Sequence, residues 1–187
     1  MITRCFITAR LAGALVALLA IAAAQGTANA AWDPNEVVAH EAAVSETLVA
    51  FSSEDPSLDR FFDEAYGYAV FPKVGEVAFI VGGQHGKGEL FEQGVSVGIA
   101  KITAVSVGAS LGGQTFQEII FFKSKDAVDK FKENAFSFSA DATAIIAEKG
   151  AATSAVWSDD IAVFTRGQKG AMIDASVSGQ RFKFEPN

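Results

Sequence analysis

Lys87 lies in GGQHGKG (Gly82 to Gly88), where a lysine among closely spaced glycines suggests phosphate chemistry, because glycine backbone can present successive N–H groups to an anion. The nucleotide version of that chemistry fails on spacing. A phosphate-binding loop needs glycine five residues before Gly86, where Val81 stands, and Ser or Thr after Lys87 to hold magnesium, where Gly88 stands. A strand-like run also follows where a helix should begin. No nucleotide is therefore expected. The segment reads as strand, tight turn, strand, an ordinary glycine-rich hairpin turn at Gly82 to Gly88 with Lys87 and His85 at its tip, where an anionic group could be met.

Other reactive side chains are sparse. His40 and His85 are the two histidines and Cys5 is the one cysteine, so the usual ligands of a structural zinc site are not available and no metal is expected. Serines and acids occur without a G-x-S-x-G elbow or a histidine placed as general base, so no catalytic residue, cofactor or enzyme activity is expected. Asp141 and Asp174 lie in strand-like segments and could form a carboxylate pair, although a lone acid among small residues more often bonds backbone amides at a turn. Lys125, Lys130 and Lys132 alternate with Asp126, Asp129 and Glu133, which is the pattern of a mixed, solvated helix face. The C-terminal bases are arranged differently. Arg166 and Lys169 flank the turn Gly167 to Gly170, while Arg181 and Lys183 alternate with Phe182 and Phe184 and so point away from the phenylalanine side of their strand. If these two strands pair, one face collects four bases that suit an anionic head group; an ordinary solvated strand face is the alternative.

These groups must be positioned by helices first and strands afterwards. Asp33-Pro34 reads as a cap opening a helix to about Phe51, with Val37, Val44, Leu48 and Phe51 on one stripe. Asp55-Pro56 opens a second, shorter helix through Leu58, Phe61, Phe62 and Ala65, which Gly67 stops. From Tyr68 the pattern has period two and frequent glycine turns, and is interrupted once by a helix from Lys125 to Asn134 capped by Ser124. The expected fold is α+β: N-terminal helices on one side of a curved, mostly antiparallel, glycine-rich sheet or partial barrel, with one intervening helix.

Arg4 and Arg10 precede an apolar run from Leu11 to Ala24, and Ala28-Asn29-Ala30 then supplies a small-x-small cleavage pattern. Residues 1–30 are therefore expected to be a signal peptide cut between Ala30 and Ala31, leaving 31–187 as one domain with a helical segment (31–66) and a β-rich body (67–187). Export to the periplasm or beyond follows. Cys5 precedes the apolar run, so it is not placed as the lipid-modified cysteine of a lipoprotein. Without Arg4 and Arg10 the chain holds thirteen bases and twenty-two acids, a formal charge of −9. Nine of those acids and only Arg60 among the bases fall between Ala31 and Glu64. That balance excludes non-specific nucleic-acid binding, and it requires any anionic lipid to be met at contact range by a local patch.

Several ordered blocks carry a family resemblance: VGGQHGKG (Val81 to Gly88), GGQTFQEIIFF (Gly112 to Phe122), SADAT (Ser139 to Thr143) and GAMIDASVSG (Gly170 to Gly179). Together they resemble the SYLF domain, also called the Ysc84 domain, in its bacterial secreted branch, over roughly Asp55 to Phe184. The resemblance implies non-enzymatic binding of phospholipid or a membrane surface in the bacterial envelope. The chain lacks the Trp-Ser-x-Pro segment of eukaryotic relatives and carries Asp174 where many relatives have glycine, so their actin binding is not expected here. Two rival functions remain: an interaction module holding a basic protein partner through its acidic helices, and an enzyme acting on lipids or glycans, which the missing catalytic pattern disfavours.

Overall fold

A computed structural model describes residues 34–78, 81–107, 112–134, 136–138, 144–167, 177 and 179–187. The expected leader, the cap at Asp33, and Asp141, Lys169 and Asp174 lie outside the described residues. Helix α1 (Pro34–Glu54) leads into a 3-10 turn (Pro56–Leu58) and helix α2 (Asp59–Glu64). Four long strands follow, β1 (Gly67–Ala78), β2 (Val81–Glu92), β3 (Val95–Val107) and β4 (Gly112–Phe122). Helix α3 (Lys125–Lys132), β5 (Ile145–Ile146), α4 (Ala151–Ser154), β6 (Ile161–Gly167) and β7 (Arg181–Pro186) complete the chain.

The caps behave as their residue types require. Asp55 accepts from Ser57 N and opens the 3-10 turn, and Ser124 Oγ accepts from Ala127 N to open α3. The strands form one open seven-stranded sheet in the order β5-β6-β4-β1-β2-β3-β7, antiparallel throughout except for the β5–β6 pair. The sheet does not close into a barrel. Period-two alternation buries both of its faces. Ile119, Phe121 and Phe164 pack under Val44 and Phe51 of α1, Phe61 of α2 and Ala152 of α4. Ile120, Phe122 and Val163 face the other way, into a core with Phe131 of α3, Phe71, Phe182 and Phe184. The helices were expected on one side only, but α3 covers the opposite face, because β4 is apolar on both faces and needs a cover on each.

One further expectation changes. Gly82 to Gly88 is not a turn: the whole stretch lies inside β2, paired to β1 on one side and β3 on the other. Ser137 makes an isolated bridge to Arg181, and β5 is only two residues long.

Candidate functional site: a basic row across four strands

Each strand contributes its bases by the pleat. In β3, Ala100 and Ile102 are buried, so Lys101 and Thr103 stand on the opposite face. In β7, Phe182 and Phe184 are buried, so Arg181 and Lys183 stand opposite them. Register then aligns the strands. Lys73 of β1 pairs with Lys87 of β2, Lys87 with Lys101 of β3, and Lys101 with Lys183 of β7. Four lysines thus form one transverse row. The adjacent row runs Gly75, His85, Thr103 and Arg181. Directly opposed residues on one face sit about 5 Å apart, at which distance like charges destabilise a sheet.

The row lies on the face that carries α1, beyond the part of the sheet that α1 covers. His40 and Ala43 of α1 wall one side of a cleft of about 600 Å³, whose floor and far side include Lys73, His85, Lys87 and Lys101. Burial, together with the charge of Lys101, holds the Lys87 ammonium below its ordinary pKa, partly offset by Glu36 and Glu185. Burial likewise lowers the His40 imidazole, against an upward pull from Glu89. Glu185 accepts from Lys101 Nζ at 2.7 Å and Lys183 Nζ at 3.0 Å, and these two bonds hold its carboxyl below the usual range. Lys73 and Arg181 have no ion-pair partner among the described residues. Six basic side chains thus face one surface, with Glu185 bonded among them and Glu36 and Glu89 acting on Lys87 and His40 from nearby.

Of the residues named from sequence, His85, Lys87, Arg181 and Lys183 are brought together here. Lys87 and His85 stand mid-strand on a sheet face, not at a hairpin tip. Arg166 is separated from them: β6 and β7 do not pair, and four strands intervene. Arg166 Nε instead meets Glu54 at 3.3 Å, and its Nη1 donates to Gln117 Oε1 at 2.9 Å, at the C-terminal end of α1. The sequence reading missed Lys73 and Lys101, whose only signal is cross-strand register.

It also missed a buried polar layer on the opposite face. Gln180 Nε2 donates to Gln84 Oε1 and to Glu118 Oε2, both at 3.0 Å. Burial pushes the Glu118 carboxyl up to about 8, against the Gln180 hydrogen bond, so it is largely protonated at neutral pH. Glu118 Oε1 and Gln180 Oε1 accept no hydrogen bond among the described residues.

The Ysc84 family, described as "Las17-binding protein actin regulator", matches residues 103–187, from mid-β3 through β7. Beta cell expansion factor A of Aeromonas veronii is 26% identical over 136 residues, covering 72% of this chain and 52% of that protein. The chain spans about half the length of the curated relative it matches.

Proposed function

We propose that this chain, whose residues 103–187 are matched by the Ysc84 family, binds anionic phospholipid through the basic row without catalysing a reaction on it. The observation that carries this reading is the alignment of Lys73, Lys87, Lys101 and Lys183 across four adjacent strands. Glu185 offsets part of the charge on Lys101 and Lys183, and a phosphate-bearing surface would offset more of the like-charge opposition along the row. Lysine suits this role as a point charge on a flexible stem, able to reach phosphates whose positions are not fixed. The chain's overall negative charge opposes long-range attraction to an anionic bilayer, so binding operates within about a Debye length and is salt-sensitive.

The export reading supports an envelope location, with Ala31 as the first residue of the exported chain. Intact-mass measurement checks that directly. The actin-regulator description belongs to the matched family, and the absent Trp-Ser-x-Pro segment argues against carrying it over.

Vesicle co-sedimentation tests the lipid reading. Vesicles containing phosphatidylglycerol should retain the protein at low salt, and phosphatidylcholine vesicles should not. Changing Lys73, Lys87, Lys101 and Lys183 to Gln should weaken retention on the order of a hundredfold or more, at about 1 kcal/mol for each base near an anionic surface. Arg166→Gln is the control and should bind like wild type. Equal retention of the quadruple variant would rule out this face.

A further inference from the structure

The cleft between α1 and α2 lies on the other flank of α1 from the basic row and has the opposite chemistry. It encloses about 590 Å³ and is lined by Leu48 and Val49 of α1, Asp59, Phe62 and Asp63 of α2, and Tyr68 of β1. Its floor is aromatic and only half-buried: Phe62 meets Tyr68 edge to face at 5.3 Å, and Tyr68 stacks on Phe91 at 5.1 Å. Val49 is 63% exposed at its lip. Eleven residues earlier, and so on the same side of the helix, Val38 is 65% exposed; with Ala42 and Ser45 between the two valines this makes a strip of small and apolar residues along α1 for roughly 16 Å.

Acids border this strip and cleft. Asp59 and Asp63 stand one turn apart on α2, where like charges oppose each other, and Glu41 and Glu46 flank the strip on α1. None of the four has an ion-pair partner among the described residues. Arg60, the base of this segment, is turned away: its Nε donates to Ala152 O at 3.0 Å, and its Nη2 donates to Ala155 O.

We infer that this cleft and the adjoining strip are a docking surface for a basic amphipathic segment of a partner protein. One large apolar side chain of that segment enters between Val49 and Phe62. Its lysines or arginines meet Asp59 and Asp63, and its remaining apolar residues follow the strip toward Val38. Charge complementarity selects this occupant. An acidic or anionic surface would be repelled by the four carboxylates, and a purely polar cation would leave the aromatic floor uncovered. The basic row faces a different ligand and is not required for this contact.

The test is a titration of isotope-labelled protein with a synthetic peptide of alternating leucine and lysine, followed by amide chemical shifts. A lysine-only peptide of equal charge is the comparison. The leucine–lysine peptide should saturate, moving Val49, Phe62, Asp63 and Tyr68, and should bind at least tenfold tighter than the lysine-only peptide. Asp59→Asn with Asp63→Asn should weaken it about tenfold. Val49→Ser, at an exposed position that leaves the fold intact, should weaken it several-fold, and the quadruple lysine variant should bind it like wild type. Equal affinity for the two peptides, or shifts spread over remote acids such as Asp126 and Glu148, would overturn the inference. So would concentration-dependent shifts at the cleft without peptide, which would identify a second copy as the occupant. Shifts at the cleft on adding phosphatidylglycerol vesicles alone would overturn it as well, because the surface would then face lipid.

Discussion

Glu118 and Asp55 are buried carboxyls with opposite fates, decided by how many donors reach each one. Glu118 is fully buried and receives Gln180 Nε2, so desolvation wins and its pKa rises to about 8. The unfolded chain would release that proton near pH 4.5. The folded state is therefore favoured in acid and loses stability as pH rises from about 4.5 to 8, by on the order of 5 kcal/mol once both states are ionised. Glu118→Gln removes the ionisation while keeping an oxygen for Gln180. Urea unfolding across this range should show the variant more stable than wild type above about pH 8 and the two converging near pH 5; parallel curves would refute the assignment. Asp55 is also desolvated, but it accepts from Ser57 Oγ, Ser57 N, Gly150 N and Ala152 N, and together these outweigh burial and lower its pKa. Its contribution is present above the unfolded pKa and is lost as pH falls through the folded value. Asp55→Ala strands the buried Ala152 N–H and frees the α4 loop, and should cost about 3 kcal/mol at neutral pH by chemical denaturation.

At the scale of an element, β2 shows why glycine does not always mean a turn. A Cβ on Gly88 would overlap Val70 O and the Phe71 ring, and one on Gly86 would lie 3.0 Å from Lys73 O. These glycines allow β1 to approach closely where its register shifts between Val70 and Lys73. The turn that joins β2 to β3, at Gln93 and Gly94, has φ of 48° and 79°, both in the left-handed region that a two-residue hairpin favours. Gly88→Ala must move a neighbouring backbone and should cost about 2–3 kcal/mol in thermal or urea unfolding. Gly94→Ala meets nothing within 4 Å and carries only the backbone term, about 1 kcal/mol. If the two variants lost equal stability, the close-approach explanation would be wrong.

At the largest scale of the described residues, the aligned lysines and the carboxylates of α2 stand at two separate clefts beside α1. Four lysines align beyond one flank, while Asp59 and Asp63 lie in the cleft on the other. A molecule so divided can meet an anionic surface with one region and a cationic partner with another. The proposed lipid binding should weaken steeply with added salt, and the dependence should flatten in the quadruple lysine variant; vesicle retention measured over a range of salt concentrations checks this. A slope unchanged by those substitutions would place the electrostatic contact elsewhere.

Local chemistry was legible from sequence wherever a residue acts on its own neighbours. Asp55-Pro56 and Ser124 cap nearby N–H groups, Val44 and Phe51 mark the buried stripe of α1, and the alternation around Phe182 and Phe184 places Arg181 and Lys183 on the opposite face. The acid-rich N-terminal segment and the α+β class follow from the same local evidence. Tertiary structure alone decided which strands lie side by side. It separated Arg166 from Arg181 and aligned Lys73 and Lys101 with Lys87 and Lys183. It also buried Gln180 beside Glu118 and Gln84, which are 62 and 96 residues from it in the chain. The physical reason is that alternation fixes the face of a side chain within its own strand, whereas register and strand order arise from pairings between distant segments, where a one-residue slip would exchange the two faces.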